Sequence, residues 1–249
     1  MKKITKGAVL LQSSLLLAIS GAAHAADEPA ESYVYGTYLE CATSQQERAD
    51  EIYMQLDKPL NDAAVSDGTI TGHGYYAHHT GGKWRRLTYT TAESIDALLD
   101  AQASIGADPD EESEALGNEF GKICGSHDDY IWRSVAGSAG TTPPGDAAFS
   151  VYYVCDSREA QADALMTQVF APVYDKMVAD GKLTSWGYLE HIVGGEFRRL
   201  ATMTASDMSA LMEARGEINA ALVDNPLSDT FTAICDAHDD YMWDVLDAG

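Results

Sequence analysis

The sequence predicts an α+β protein built from two tandem β-α-β-β-α-β units, on three observations. The stretch "DGTITGHGYYAHHTGGKWRRL" from Asp67 aligns without a gap on "DGKLTSWGYLEHIVGGEFRRL" from Asp180. The flanking stretches repeat in the same order, and self-similarity at a constant offset is the mark of a duplicated fold element. "GSAGTTPPGD", residues 137–146, separates the copies and has the Gly, Pro, Ser and Thr composition of a linker. The expected organisation is a leader over 1–25, a first unit over 26–136, the linker over 137–146 and a second unit over 147–249.

The leader comes first. "MKK" and Lys6 are followed by the short apolar run "GAVLLQSSLLLAISGA" and by "AHA", which ends at Ala25. This is the pattern of a secretory signal peptide. The run is too short to anchor comfortably in a bilayer. The expected mature protein is periplasmic or secreted, with no membrane attachment after cleavage.

Each unit then reads element by element. "SYVYGTYLEC" and "AAFSVYYVC" are β-branched and aromatic and read as strands. The following "ADEIYMQLDKPLNDAAVSDG" and "ADALMTQVFAPVYDKMVADG" carry apolar residues at helical spacing, with a bend expected at Pro59 and Pro172. Two strands follow around Gly-Gly, as in a two-residue hairpin turn. "TAESIDALLDA" and "TASDMSALMEA" begin a helix, with a threonine cap expected. A further helical piece leads to "CGSHDDYIW" and "CDAHDDYMW", which open the last strand of each unit.

Charge and motifs narrow the function classes. Asp and Glu number 39 against 16 Lys and Arg, a net charge of −23, and loss of Lys2, Lys3 and Lys6 with the leader makes it more negative. Such a surface repels nucleic acid and anionic lipid, so no nucleic-acid partner is expected. Four cysteines in an exported chain read as two disulfides, with three possible connectivities. No CxxC, HExxH, EF-hand, phosphate-loop or GxSxG pattern occurs. His127 with Asp128 and Asp129, and His238 with Asp239 and Asp240, could ligate a metal. Adjacent residues of a strand point to opposite faces, however, so no metal site is expected and these aspartates should bond backbone N–H groups.

The hairpin carries the candidate binding residues. A Gly81-Gly82 turn pairs His79 with Trp84, His78 with Arg85 and Tyr76 with Leu87. The second unit pairs His191 with Arg198, and Glu190 with Arg199 as a cross-strand ion pair. Tyr76, His78 and Arg85 then share one face, and His191 and Arg198 repeat it. An Arg fork suits a carboxylate or phosphate, and His can donate, accept or shuttle protons. These five residues are the expected contacts of a small, possibly anionic ligand. The competing reading is that the pairs hold the hairpin.

In element order and unit size the chain resembles the dimeric α/β-barrel superfamily of ferredoxin-like folds. That group includes antibiotic-biosynthesis-type monooxygenases, haem-degrading monooxygenases and chlorite dismutases. The resemblance implies two sheets facing each other across one pseudo-dimeric α/β barrel, the second copy replacing a partner chain in a monomer. It implies strand four lying beside strand one, and hence disulfides Cys41–Cys124 and Cys155–Cys235. It also implies two functions: a ligand-binding protein using the space between the units, or an oxygenase, cofactor-independent or haem-using. No cofactor is expected for the first. Haem would need His78, His79 or His191 as an iron ligand.

Overall fold

The computed structural model describes residues 31–138 and 144–249. The expected leader and the central part of the linker lie outside the described residues. The tyrosine-rich runs form β1 (Tyr33–Glu40) and β5 (Ala147–Val154). Alternate side chains of β1, among them Gly36 and Tyr38, face inward, while Tyr33 and Tyr35 pack outward, as a strand's period of two requires. The first half continues through α1 (Gln46–Gln55), α2 (Asp57–Ser66), β2 (Gly72–Thr80), β3 (Arg86–Ala92), α3 (Ile95–Ser104), α4 (Glu111–Ile123) and β4 (Ser126–Gly137). The second contains α5 (Glu159–Leu165), α6 (Ala171–Ala179), β6 (Ser185–Val193), β7 (Arg199–Ala205), α7 (Met208–Leu222), α8 (Pro226–Ile234) and β8 (Ala237–Ala248).

The eight strands close into one barrel in the order β1-β3-β2-β8-β5-β7-β6-β4, with every pairing antiparallel. Closure leaves no free edge, the stable answer to an all-antiparallel sheet. The seams between halves are β2 with β8 and β4 with β6, and both carry register shifts. Among the described residues no helix is long and apolar enough to cross a membrane.

Both implied disulfides form. Cys41 follows β1 and bonds Cys124, just ahead of β4; Cys155 and Cys235 do the same beside β5 and β8. Antiparallel pairing of β1 with β4 and of β5 with β8 brings those ends together.

Local details differ from the expectations in four places. The first helix breaks at Leu56, ahead of proline, so that Pro59 falls in the first turn of α2. Its counterpart inserts a π turn at Met166–Phe170, and Pro172 opens α6. Proline lacks an N–H and is tolerated in a first turn, so it begins the second piece rather than bending a continuous helix. The caps of α3 and α7 are Ser94 and Asp207, whose side chains accept from Ala97 N and Ala210 N; the threonines upstream stay in strands. The Gly-Gly pairs are not two-residue turns. The ladder stops at Ala77 opposite Arg86, and Thr80 pairs instead with Met242 of β8. Finally, three of the aspartates after the late histidines meet side chains: Asp128 accepts from Trp84 Nε1 at 2.7 Å, Asp129 from Thr37 Oγ1 at 2.8 Å, and Asp240 lies 2.9 Å from His238 Nδ1.

Candidate functional site

Inward-facing residues of the eight strands fill the barrel unequally. At the end carrying the Gly-Gly loops an aromatic plug forms from Tyr38, Trp84, Tyr130, Trp132, Tyr152, Phe197, Tyr241 and Trp243. Trp84 stacks on Tyr38 at 4.4 Å and on Tyr241 at 4.9 Å between centroids. Gly-Gly is needed there for close approach. A Cβ on Gly82 would lie 2.2 Å from the Tyr241 hydroxyl, and one on Gly195 2.5 Å from that of Tyr130. Gly81 and Gly194 also adopt φ of 140° and 141°, which side chains rarely allow. Each loop thus seats the HDDY tyrosine of the other half.

Beyond the plug lies a cavity of about 730 Å³, within the usual range for small-molecule sites. Its floor includes Tyr38, Tyr76, Leu87, Tyr152, Leu189 and Leu200, and its walls include Ser150, Thr202 and Tyr89. Strand ends around Thr71, Thr91, Ser138 and Ser185 form the mouth. No Asp, Glu, His, Lys or Arg is among the described residues that line it. Burial pushes the phenols of Tyr38, Tyr76, Tyr89 and Tyr152 up, which keeps them neutral. The Tyr152 hydroxyl is fully buried near Tyr38 and Ser150, yet makes no well-formed hydrogen bond to either.

Of the five residues singled out from the sequence, Tyr76 alone lines this cavity. His78 does face Arg85, and His191 faces Arg198: the backbone N–H groups of both histidines donate to the opposite arginine carbonyls. The arginines donate to the rings, Arg85 to His78 Nδ1 at 3.0 Å and Arg198 to His191 Nδ1 at 2.8 Å. Both pairs lie on the loop side of the plug. His78 meets Tyr241 and Trp243 edge-on, and His191 meets Tyr130 and Trp132. Burial first, then the adjacent guanidinium, lowers both imidazole pKa values, so each ring is a neutral acceptor. His79 is exposed and bonds Asp244 at 3.2 Å. The candidates for a haem ligand are thus occupied outside the cavity, and no His, Cys or Met lines it among the described residues.

The second arginine of each "RRL" was missed as a structural anchor. Arg86 is buried and donates to both oxygens of Asp50 at 2.5 and 2.7 Å; Arg199 does the same to Asp163 at 2.6 and 2.7 Å. Each fork clamps the first helix of its half to the outer face of the sheet. The expected Glu190–Arg199 pair forms, the residues facing each other in the β6–β7 register at 3.9 Å, and Glu190 also accepts from Arg133 across the β4–β6 seam. The repeated Asp after Ala49 and Ala162 was the available signal. Among the described residues no group of three His, Cys, Asp or Glu could hold a metal.

No family model matches the sequence, and no curated protein matches it. Solved structures are similar in fold. A putative monooxygenase from Lactobacillus acidophilus NCFM superposes with a TM-score of 0.58 at 6% identity, covering 88% of this chain and 95% of that one. An anthrone oxidase-like protein gives 0.53 at 13%, covering 89% and 94%. A mutant chlorite dismutase from Candidatus Nitrospira defluvii gives 0.52 at 10%, covering 85% and 91%. At such identities the likeness concerns fold. Strand order and barrel closure agree with these neighbours in fold: the chain is a ferredoxin-like α+β protein with an eight-stranded closed barrel.

Proposed function

We propose that this is an exported, monomeric binding protein that holds a small neutral molecule inside the barrel, between two duplicated halves that replace the subunits of a dimer. The observation that carries the reading is a barrel cavity whose described lining side chains carry no charge and offer neutral hydroxyls, Ser150, Thr202 and Tyr89 among them. Neutral hydroxyls hydrogen-bond a neutral ligand without burying an unpaired charge. An anionic ligand, expected from the His/Arg pairs, does not suit these walls, because a buried carboxylate without a partner is costly. The disulfides and the leader-like N-terminal sequence support export.

The alternative is an oxygenase acting on the same molecule, favoured by the fold shared with a putative monooxygenase and an anthrone oxidase-like protein. It suits the cavity less well. Its tyrosines are held neutral, and none of its described lining side chains is a base at neutral pH. A haem-using version would need a lining tyrosine as iron ligand, since no His, Cys or Met is among the described lining residues.

Native mass spectrometry of the purified protein tests the binding reading. A neutral compound should remain bound to wild type and be lost from Thr202→Val at lower collision energy. An anionic compound released equally from both would overturn it.

A further inference from the structure

The two halves differ most where their helices cover the outer face of the sheet. In the second half this layer is one continuous apolar cluster that includes Phe149, Val151, Met166, Ala201, Met203 and Ile218. In the first half the corresponding region is split among three small clusters. Between them lies a cavity of about 200 Å³, bounded by β1, β3, α2 and α3.

The repeat alignment shows what changed. Tyr35, Thr37, Asp57, Thr88, Thr90 and Gln102 line the cavity. At the matching positions the second half has Phe149, Val151, Phe170, Ala201, Met203 and Arg215. Five of the six exchange a polar group for an apolar side chain. Polar groups in a helix–sheet layer are costly unless they find partners, and the first half supplies few. Gln102 donates to Thr90 at 2.9 Å and Thr37 to Asp129 at 2.8 Å. Among the described residues the Asp57 carboxylate has no hydrogen bond or ion pair.

The sixth exchange identifies the ligand's charge. In the second half the Arg215 guanidinium lies 3.4 Å from the centroid of the Phe149 ring and 3.9 Å from Asp240. It supplies that layer with a cation stacked on an aromatic face. In the first half Gln102 stands at the arginine's position, Tyr35 at the phenylalanine's and Asp129 at that of Asp240. The aromatic ring and the carboxylate are kept, a second carboxylate, Asp57, is added, and the guanidinium is absent from the sequence.

We propose that the first half binds a small organic cation, a guanidinium or ammonium of a few heavy atoms, between Tyr35, Asp57 and Gln102. The second half has no such site, because Arg215 fills the equivalent space. Apart from Tyr89, which borders both, this site shares no lining residue with the barrel cavity, and neither ligand requires the other.

The charged and titratable surroundings agree. Lys58, next to Asp57, is held by Asp62 at 3.0 Å and Asp247 at 2.9 Å. Asp129 on β4 contacts His127 at 3.2 Å. Tyr53 on α1, Tyr35 on β1 and Tyr89 on β3 are the other titratable groups lining the cavity, and all three phenols are shifted up by burial. Burial also raises the Asp57 pKa to about 6. A raised carboxyl pKa means that the folded state holds the proton more tightly. The ionised form therefore destabilises the fold above pH 6, and a bound cation relieves this.

The probe is N-methylguanidinium, with N-methylurea as its neutral isostere, followed by backbone amide chemical-shift mapping. At pH 7.5 methylguanidinium should saturate one site and shift Thr88, Thr90 and Gln102, while their counterparts Ala201, Met203 and Arg215 stay fixed. Methylurea should not saturate. At pH 5, one unit below the Asp57 pKa, affinity should fall about tenfold. Asp57→Asn should weaken binding by about tenfold or more. Gln102→Arg, which copies the second half, should abolish it; Thr90→Met is the substitute should that variant fail to fold. Equal binding of methylurea, shifts confined to other residues, or unchanged affinity in Asp57→Asn would overturn the proposal.

Discussion

Replacing Cys41 and Cys124 together by alanine is expected to destabilise the protein by about 4–5 kcal/mol in the chain-entropy model, the range for a loop of this length. The bridge spans 83 residues, and Cys155–Cys235 spans 80. Both join the end of a first strand to the start of a fourth, so each closes nearly a whole half of the molecule. The cysteines are buried or nearly so, and alanine fits where they stood without an unpaired polar group. The loss should therefore arise mainly in the unfolded chain. Urea unfolding of the double variant, compared with the analogous Cys155/Cys235 variant, measures it. A loss under 1 kcal/mol for both would show that the bridges close contacts already held by the β1–β4 and β5–β8 ladders.

Trp84→Ala should cost about 3–5 kcal/mol, the usual penalty for deleting a large core aromatic. Trp84 is 2% exposed and stacks between tyrosines from both halves. Its indole N–H also satisfies Asp128. Removing the ring opens the floor of the barrel cavity and leaves the Gly-Gly loop without its anchor. Phe197, the matching residue, lacks the N–H and touches Trp84 edge-on at 5.9 Å, so Phe197→Ala should cost less. Thermal unfolding of the two variants under identical conditions checks the order. Equal losses would mean that the plug is uniform and that Trp84 has no special place in it.

The element order was legible because the repeat supplied two readings of every element. Tyrosine-rich runs, Asp-Gly helix ends and the HDDY strands each appeared twice. The disulfide pairing followed from strand order once the fold class was inferred. The binding site was much less legible. His78–Arg85 and His191–Arg198 sit opposite each other as the strand register required, yet the side chains meet each other rather than the cavity. Which end of a barrel is plugged depends on long-range packing of Trp84, Tyr130 and Tyr241 from different strands, and no local pattern encodes it. The Gly-Gly pairs were misread for the same reason: each makes room for a tyrosine of the other half, Tyr241 at Gly82 and Tyr130 at Gly195. The difference between the helix–sheet layers was visible in the alignment, as Thr90 against Met203 and Asp57 against Phe170. Its meaning depended on knowing that these residues share one layer.

The central claim is that the barrel cavity accepts a neutral ligand and excludes an anionic one. Calorimetric titration with 2-naphthol and 2-naphthoate, on wild type and on Thr202→Trp, tests it most directly. Thr202 lines the cavity wall, and a tryptophan there fills the space. The expected result is one naphthol per chain in wild type, naphthoate at least about tenfold weaker because its buried carboxylate finds no partner, and no naphthol binding in Thr202→Trp. Naphthoate binding as tightly as naphthol, or naphthol binding unchanged in Thr202→Trp, would contradict the account.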